Sequence, residues 1–535
     1  MARMGGVDVA IINGLIVDGT GGAPFRGTVL VEGDRLRVIR RETVPSIEGA
    51  EIVDAGGRAV APGIVDLHTH SDVSNLSEPN AISSIEQGVT TQVVGLCGFS
   101  PGPVRAETLA TMIAEEPVFG FPDVPWDWTS IGGYRESVDR IGVATNTVTL
   151  VGHNTLRRAV MGSDGRAPTA DELARMQDLM REAFDDGARG FSTGLTYAPG
   201  LFATTDELIE LTRVAAEQDK PYHTHMRVDE LPMRKPVREA LVTAERSGVE
   251  LEISHLYPTP TDPPEEAETI IDMIEAARDR GVRATWDVTV FPRGGGAWAQ
   301  YLPAWVRAGG AHATTARLRD ADLRPRIRNE IENAGWLGWS IGGFDDELIV
   351  KVSRPETRWM AGRTIGDIAR ERGDDPLDTA LDLLIEDPQF WTGSISKRQP
   401  DLDRMIAHPL GIPVTDGMAA HPVKHRALGI MPKTFGSFPQ ILGRYVREAR
   451  VMTLEQAIEK MTRTAASRVG LQDRGVLADG YRADLFIFDP ATIANRATDV
   501  EDPAARPAGI DRVMVNGRWV VIDGAATGAR PGRAL

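Results

Sequence analysis

The sequence is poor in cysteine, with Cys97 as the only one among 535 residues. A single thiol cannot form an intramolecular disulfide, which suits a reducing compartment and draws attention to metal ligation or nucleophilic catalysis. The alternative for a lone cysteine is burial as a small apolar side chain. The composition therefore excludes a fold held together by internal disulfide bonds.

Long apolar runs are missing as well. No stretch approaches the roughly 18 uninterrupted apolar residues of a transmembrane helix, and residues 1–13 lack the basic segment and apolar run of a signal peptide. We therefore expect no membrane partner and a cytoplasmic location.

Positive charge is in deficit, since 59 lysines and arginines face 76 acidic residues and the formal net charge is -17. Without a basic surplus to neutralise phosphates, nucleic acid is not an expected partner. A chain of 535 residues also exceeds the size of one hydrophobic core. We expect a large catalytic domain and at least one smaller domain.

Short strands are predicted at both ends of the chain. Near the beginning they cover residues 8–12, 27–31, 35–39 and 51–54, with turn residues such as Asn13-Gly14 between them. Near the end they cover residues 484–489 and 513–521. Neither end is long enough for a complete β-sandwich, so we predict one small β-sandwich domain built from residues 1–61 and 471–535.

Between the two ends, strands alternate with helices, a pattern typical of a parallel sheet or barrel. The eight predicted strands cover residues 64–70, 90–96, 146–151, 188–192, 221–225, 250–255, 283–287 and 412–416. Eight such units predict a (β/α)8 barrel over residues 62–470, with its active site at the carboxyl ends of the strands. Residues 297–398 break the rhythm, and we predict that they form a lid-like insertion with Gly294–Gly296 as its flexible hinge.

Side chains that can bind metal or move protons follow the predicted strands. They are His68, His70, Cys97, His153, Ser192, His225, His255, Asp287 and Asp416. Nitrogen and sulfur donors favour zinc over magnesium or calcium, and the set is large enough for one or two ions. A divalent metal lowers the pKa of bound water and polarises a carbonyl group. Asp416 is our candidate to take the proton of the water and pass it to a leaving nitrogen.

These motifs resemble the amidohydrolase superfamily and, within it, the N-acyl-D-amino-acid deacylase (D-aminoacylase) family. The resemblance covers nearly the whole chain, and its motifs lie at residues 62–72, 97–101, 187–195, 224–227, 253–255, 416–417 and 474–485. It implies a zinc-dependent enzyme that hydrolyses the linear amide of a small N-acyl-D-amino acid or a related N-acyl compound.

The resemblance also implies a division of the metal ligands. Cys97, His225 and His255 would hold a tightly bound zinc. His68, His70 and Asp416 would form a second, weaker site, with the cysteine able to bridge the two.

The residues expected to bind substrate depart from the family pattern. Relatives commonly carry Ser-His-His-Lys after the sixth strand, where the lysine helps hold the substrate carboxylate, whereas residues 254–257 are Ser-His-Leu-Tyr. A Tyr-Pro-Tyr-like element after the seventh strand is missing too. Arg227 or Arg293 is expected to replace the lost charge with a bidentate grip, unless the substrate lacks a free carboxylate. Tyr197 and Tyr257 are further candidates for substrate contacts.

Two other functions stay open. Cyclic amide hydrolysis, as in hydantoinases and dihydroorotases, usually comes with a bridging lysine, and the predicted fourth strand ends without one. A non-catalytic barrel used in protein assembly has no reason to keep a full set of metal ligands. The acyl group, the side chain of the substrate, the number of metals and assembly into a homo-oligomer are left open.

Overall fold

The computed structural model describes residues 6–40, 49–115, 119–121, 123–228, 231–334, 340–426 and 429–535. Its strands are β1 (Val9–Ile16), β2 (Phe25–Glu32), β3 (Arg35–Ile39), β4 (Glu51–Asp54), β5 (Ala59–Pro62), β6 (Ile64–Asp66), β7 (Val89–Val94), β8 (Asn146–Thr149), β9 (Val151–Gly152), β10 (Phe191–Gly194), β11 (Tyr222–His225), β12 (Leu251–Ile253), β13 (Ala284–Thr289), β14 (Arg293–Ala297), β15 (Leu348–Lys351), β16 (Trp391–Ile395), β17 (Gly411–Val414), β18 (Leu485–Phe488), β19 (Ile510–Val515), β20 (Arg518–Ile522) and β21 (Ala525–Ala526).

The α-helices lie mostly between the strands of the central region and of the insertion. They are α1 (Ser74–Ser77), α2 (Ile82–Ile85), α3 (Ala106–Glu115), α4 (Ile131–Ile141), α5 (His153–Met161), α6 (Ala170–Asp185), α7 (Thr205–Glu217), α8 (Arg234–Ser247), α9 (Glu266–Asp279), α10 (Ala304–Arg307), α11 (Gly310–Arg319), α12 (Arg324–Asn333), α13 (Ile365–Arg372), α14 (Pro376–Glu386), α15 (Gln399–Ala407), α16 (Lys433–Gln440), α17 (Leu454–Glu459) and α18 (Ala465–Arg468). Within the described residues, none of these helices has both the length and the apolar character needed to cross a membrane.

The central region is a closed parallel barrel, as predicted. β6, β7 and β8 pair side by side, and β9, which follows β8 after one residue, begins the run β9-β10-β11-β12-β13-β17. The last strand closes on the first, because the Asp416 amide donates to the His68 carbonyl at 2.9 Å and the His70 amide donates to the Gly417 carbonyl at 2.7 Å. The carboxyl ends of all eight strand positions therefore share one rim.

Several element boundaries differ from the sequence prediction. The first barrel strand ends at Asp66, so both histidines of the motif lie in the chain that follows it. The fourth barrel strand, predicted at residues 188–192, is β10 and covers Phe191–Gly194. Thr169 caps α6, and Glu172 completes the capping box.

The two chain ends share one nine-stranded sheet, in which β18 pairs with β5 and β5 pairs with β1. Its core combines residues of both ends, such as Ile11, Val60 and Ile487. The turn expected at Asn13-Gly14 is wrong, because β1 continues through these residues with an irregularity in its pairing to β2. The domain limits at residues 61 and 471 stay predictions.

The insertion before the last barrel strand has its own small sheet, in the antiparallel order β14-β16-β15, and its own apolar core. The predicted glycine hinge is wrong. Gly294–Gly296 form part of β14 and pair with β16. A Cβ on Gly295 would overlap the Thr392 carbonyl oxygen, so glycine is needed there for close strand packing rather than for motion.

Candidate metal centre

Five of the predicted ligands meet at the carboxyl rim of the barrel. The ligand atoms of His68, His70 and Cys97 lie within 4.8 Å of one another, and so do those of Cys97, His225 and His255. The two groups share the cysteine. Its Sγ is 3.4 Å from His68 Nε2, 3.6 Å from His225 Nδ1 and 3.6 Å from His255 Nε2.

Asp416, the sixth predicted ligand, lies at the edge of this cluster. Its Oδ1 is 3.3 Å from His70 Nε2 and 3.7 Å from His68 Nε2. Its Oδ2 accepts a hydrogen bond from Lys433 Nζ at 2.5 Å. Sequence reasoning missed Lys433, since it begins a helix beyond the last barrel strand and belongs to no recognised motif.

Backbone strain is concentrated at the cluster. Cys97, His255 and Asp416 have φ angles of 52°, 35° and 47°, in the left-handed region that favours glycine. Such a conformation costs about 1–3 kcal/mol for a residue with a side chain and collects at functional sites. Each of these residues turns the chain sharply where a barrel strand ends.

Neighbouring groups fix the orientation of the imidazole rings. Asp287 Oδ2 is 3.0 Å from His68 Nδ1, which leaves Nε2 facing the cluster. The other oxygen of Asp287 accepts the His255 amide at 2.6 Å. Thr196 Oγ1 is 2.7 Å from His225 Nε2, which leaves Nδ1 facing Cys97. Supports of this kind orient metal-binding histidines.

The electrostatic surroundings favour the charged forms of Cys97 and Asp416. Burial alone would raise the pKa of the Cys97 thiol, but His68 and hydrogen bonds from His225 and His255 hold that pKa well below its usual value. Burial would likewise raise the pKa of Asp416, but Lys433 and the site histidines outweigh it and the pKa lies well below its usual value. Thiolate and carboxylate are the forms that bind metal.

The donor set fits a divalent metal. One thiolate sulfur lies among several imidazole nitrogens with a carboxylate oxygen beside them, and these are the ligand types of zinc rather than of calcium or magnesium. The shared cysteine could hold one ion or bridge two. The agreement with a divalent metal site rests on the chemical types of these ligand atoms and on the short distances between them.

A cavity of about 140 Å³ opens beside the cluster and receives residues from both the barrel and the insertion. Tyr197 and Tyr257, two predicted substrate contacts, line it, and the Tyr197 ring is 4.8 Å from the His225 ring. Lysines 351, 397 and 433 also line it. Lys351 and Lys397 come from the insertion, where no sequence motif pointed to them.

Arg293 lines the cavity, but its guanidinium group is already bonded to protein acceptors. It contacts Asp346 Oδ1 at 2.6 Å and Asp499 Oδ2 at 3.0 Å, and it donates to the Gly393 carbonyl at 2.7 Å. The structure therefore does not support Arg293 as the replacement charge for the substrate.

Arg227 is not among the residues that line the cavity. Its guanidinium group donates to the carbonyls of Leu201 and Ala203 at 2.7 Å each and to Glu239 Oε2 at 3.2 Å. These bonds fix a loop beside the site. The expectation that Arg227 binds the substrate carboxylate through two hydrogen bonds therefore has no support.

Two other predicted strand-end residues serve the fold. His153 Nε2 is buried 2.9 Å from Glu207 Oε1, and His153 is in neither of the two ligand groups. Ser192 donates to the Gly95 carbonyl at 2.5 Å and accepts the Gly98 amide at 3.0 Å. Ser192 thereby holds the turn that carries Cys97.

Comparisons with known proteins indicate the family of the chain. The profile of the "Amidohydrolase family" matches residues 51–521. An N-acyl-D-aspartate deacylase of Alcaligenes xylosoxydans xylosoxydans is 32% identical over 99% of this chain and 95% of its own length.

Two solved structures are similar over 99% of both chains, each with a TM-score of 0.82. One, 31% identical, is an N-acyl-D-glutamate deacylase from Bordetella bronchiseptica in complex with zinc and a phosphonate inhibitor that mimics the tetrahedral intermediate. The other, 30% identical, is a D-aminoacylase described as having a binuclear metal centre.

Proposed function

The chain belongs to the amidohydrolase family, and on that premise we propose that it is a zinc-dependent hydrolase of linear amides that deacylates N-acyl-D-amino acids or closely related N-acyl compounds. The observation that carries the proposal is the convergence of two ligand groups on Cys97 at the rim of the barrel. Three relatives that match 99% of this chain are named N-acyl-D-aspartate deacylase, N-acyl-D-glutamate deacylase and D-aminoacylase.

We assign the tightly held zinc to Cys97, His225 and His255. His68, His70 and Asp416 form the weaker second site, and the cysteine is close enough to bridge the two. When bound, a divalent metal activates water and polarises the carbonyl group of the amide. The protein contributes fixed ligand positions, through Asp287 behind His68 and Thr196 behind His225.

Asp416 is assigned as the general acid and base. As water adds to the amide carbon, the Asp416 carboxylate accepts its proton, and it then delivers that proton to the nitrogen as the carbon–nitrogen bond breaks. The products are a carboxylic acid and a free amine. Lys433 holds the carboxylate in its charged, proton-accepting form.

Two tyrosines are assigned to substrate binding. Burial raises the pKa of Tyr257 to about 12, so its hydroxyl group keeps its proton and can donate a hydrogen bond. Tyr197 lies beside His225 on the wall of the cavity.

Hydrolysis of a cyclic amide is the second candidate. A bridging lysine at the end of the fourth barrel strand would favour it, but β10 ends with Thr193 and Gly194. We assign the bridging position to Cys97 instead, since it belongs to both ligand groups. We therefore favour a linear substrate.

The test is an amine-release assay on the purified protein, with its metal content measured by elemental analysis. The substrates are N-acetyl-D- and N-acetyl-L-amino acids, their carboxamides, and cyclic ureides of matched side chain. We expect zinc in the protein and amine release from the D-compounds. Turnover of the cyclic ureides alone would overturn the assignment.

A further inference from the structure

We propose that Lys397 forms an anion subsite that binds the carboxylate group of the substrate beside the metal cluster. This proposal rests on the proposed function, because the subsite belongs to the same cavity. It names the substrate class more narrowly: an N-acyl compound with a negative charge close to the scissile nitrogen.

Lys397 reaches this cavity from the insertion, two residues after β16. Lys397 is 3% exposed and lies on the cavity wall together with five of the six assigned metal ligands. Its Nζ is 4.4 Å from the centroid of the Tyr257 ring. A Cβ on Gly294 would come within 2.6 Å of Nζ, so this glycine leaves room for the ammonium group.

The Lys397 ammonium group has no acceptor among the residues that the structure describes. It donates no hydrogen bond and forms no ion pair there. Buried lysines elsewhere are satisfied: Lys433 binds Asp416 at 2.5 Å, and Lys460 donates to the Ile406 carbonyl at 2.6 Å. Burial of an ammonium group is unfavourable unless something accepts its hydrogen bonds. A ligand anion would supply the missing acceptor.

The charge of the cavity wall points the same way. Among the described lining residues, Asp416 is the only acidic one, whereas three lysines and Arg293 are basic. Asp416 already binds Lys433, and Arg293 already binds two aspartates. The positive charge that is left without a partner on the described cavity wall therefore lies at Lys397, and it favours an anionic substrate.

The pKa of Lys397 supports an unfilled anion position. Burial, and then the charge of Lys433, lower this pKa to about 7. An anion within hydrogen-bond distance would stabilise the protonated form and raise the pKa again.

The covalent structure of the proposed substrate also indicates that its carboxylate lies in the cavity that Lys397 lines. In an N-acyl amino acid, one carbon separates the carboxylate from the scissile nitrogen. If the amide lies at the metal cluster, the carboxylate has to lie in the adjoining cavity. Lys397 is the cation there for which the structure shows no protein acceptor.

The experiment compares two substrates in the zinc-loaded enzyme: the N-acetyl-D-amino acid that the wild type cleaves fastest, and its primary carboxamide. Lys397→Met keeps the length of the side chain and removes the charge. We expect kcat/KM for the acid to fall about 100-fold, mainly through KM, with the carboxamide changing less than about threefold. Zinc content should be unchanged. Lys397→Gln is the second variant if the methionine variant folds poorly.

Lys220→Met is the matched control. Lys220 also lies over an aromatic ring, with Nζ 5.9 Å from the centroid of Phe184, but outside the cavity. Its substitution should leave the ratio of acid to carboxamide unchanged. Equal losses for both substrates in Lys397→Met, no loss for the acid, or a lost preference in Lys351→Met instead would each overturn the proposal.

Failure of the proposed function gives a different result. If the wild type cleaves neither compound, the deacylase assignment fails, and calorimetric binding of the N-acetyl-D-amino acid then tests the subsite alone. Weaker binding to Lys397→Met than to the wild type would support it. Equal binding, or none to either protein, would overturn it.

Discussion

At the scale of single residues, Asp416 combines a strained backbone with an ion pair to Lys433 and close contacts to His68 and His70. Asp416→Asn removes the carboxylate but keeps its size. We expect kcat to fall about 10²–10⁴-fold, because the proton of the water and the proton for the leaving amine lose their carrier. Single-turnover amine release with parallel zinc analysis measures this.

The zinc that we assign to Cys97, His225 and His255 should stay in Asp416→Asn, since none of these side chains changes. Amine release within a few fold of the wild type would remove Asp416 from the proton-transfer role.

Lys397 should also affect stability. Its pKa is lowered to about 7 in the folded protein, and the ordinary lysine value is about 10.4. The unfolded chain therefore binds more protons between these values. Burial of Lys397 therefore lowers the free energy of unfolding by its full amount below about pH 7. This loss of stability disappears as the pH rises toward about 10. We expect Lys397→Met to stabilise the fold by about 2–4 kcal/mol near pH 7.

The measurement is urea unfolding of the wild type and Lys397→Met near pH 7 and near pH 9.5, with Lys220→Met as control. The stability that Lys397→Met gains over the wild type should be smaller at the higher pH. A Lys397→Met variant that is less stable than the wild type would show that Lys397 has a structural partner. An equal stability gain at both pH values would show the same.

The residues of the metal cluster could be found from the sequence because they occupy strand ends, where a barrel places its reactive groups. Lys433 and Lys397 could not, since one starts a helix and the other lies in an insertion without periodic pattern. The expectation that Arg227 or Arg293 binds the substrate carboxylate has no support in the structure, because residue type alone does not show whether a side chain is already paired. Whether an arginine is free depends on acceptors distant in sequence, such as Asp499.

At the scale of elements, the end of β10 packs directly against the turn that carries Cys97. A Cβ on Gly194 would overlap the Cys97 carbonyl oxygen. Gly194→Ala should displace the turn and weaken zinc binding about 10–100-fold while the barrel stays folded. Competition with a zinc chelator measures the affinity.

Gly6→Ala is the control, since nothing lies within 4 Å of its added methyl group. Unchanged zinc affinity in Gly194→Ala would mean that the turn can shift without moving the thiolate.

Element prediction succeeded where local chemistry decides the outcome. The predicted strands at residues 35–39 and 51–54, next to turn residues, have the same bounds in the structure as β3 and β4. It failed where distant contacts decide. Asn13-Gly14 and Gly294–Gly296 have turn-like or flexible composition, yet both lie in strands because neighbouring strands pair with them.

At the scale of the whole molecule, a buried polar network joins the barrel to the sheet of the chain ends. Arg474 forms an ion pair with Asp484 and donates to Asn516 Oδ1 at 3.0 Å. Asn516 in turn donates to Asn146 Oδ1, at 2.8 Å, in barrel strand β8. The Asp484 carbonyl accepts the Gly63 amide just before β6.

Arg474→Met should therefore destabilise the protein by about 3–5 kcal/mol, because it leaves the buried Asp484 carboxylate without a positive charge to pair with. Arg37→Met removes an exposed ion pair with Glu32 in the same sheet and should cost less than about 1 kcal/mol. Thermal unfolding followed by circular dichroism compares them. Equal shifts would mean that the network does not hold the two parts together.

The most direct test of the whole account is zinc-dependent amine release from an N-acetyl-D-amino acid, measured after chelator treatment and again after zinc is added back. The wild type should lose activity with its metal and recover it with zinc. Cys97→Ala should not recover, because the residue common to both ligand groups is gone. Full activity of the metal-free wild type, or zinc recovery in Cys97→Ala, would contradict the assignment of a zinc deacylase centred on Cys97.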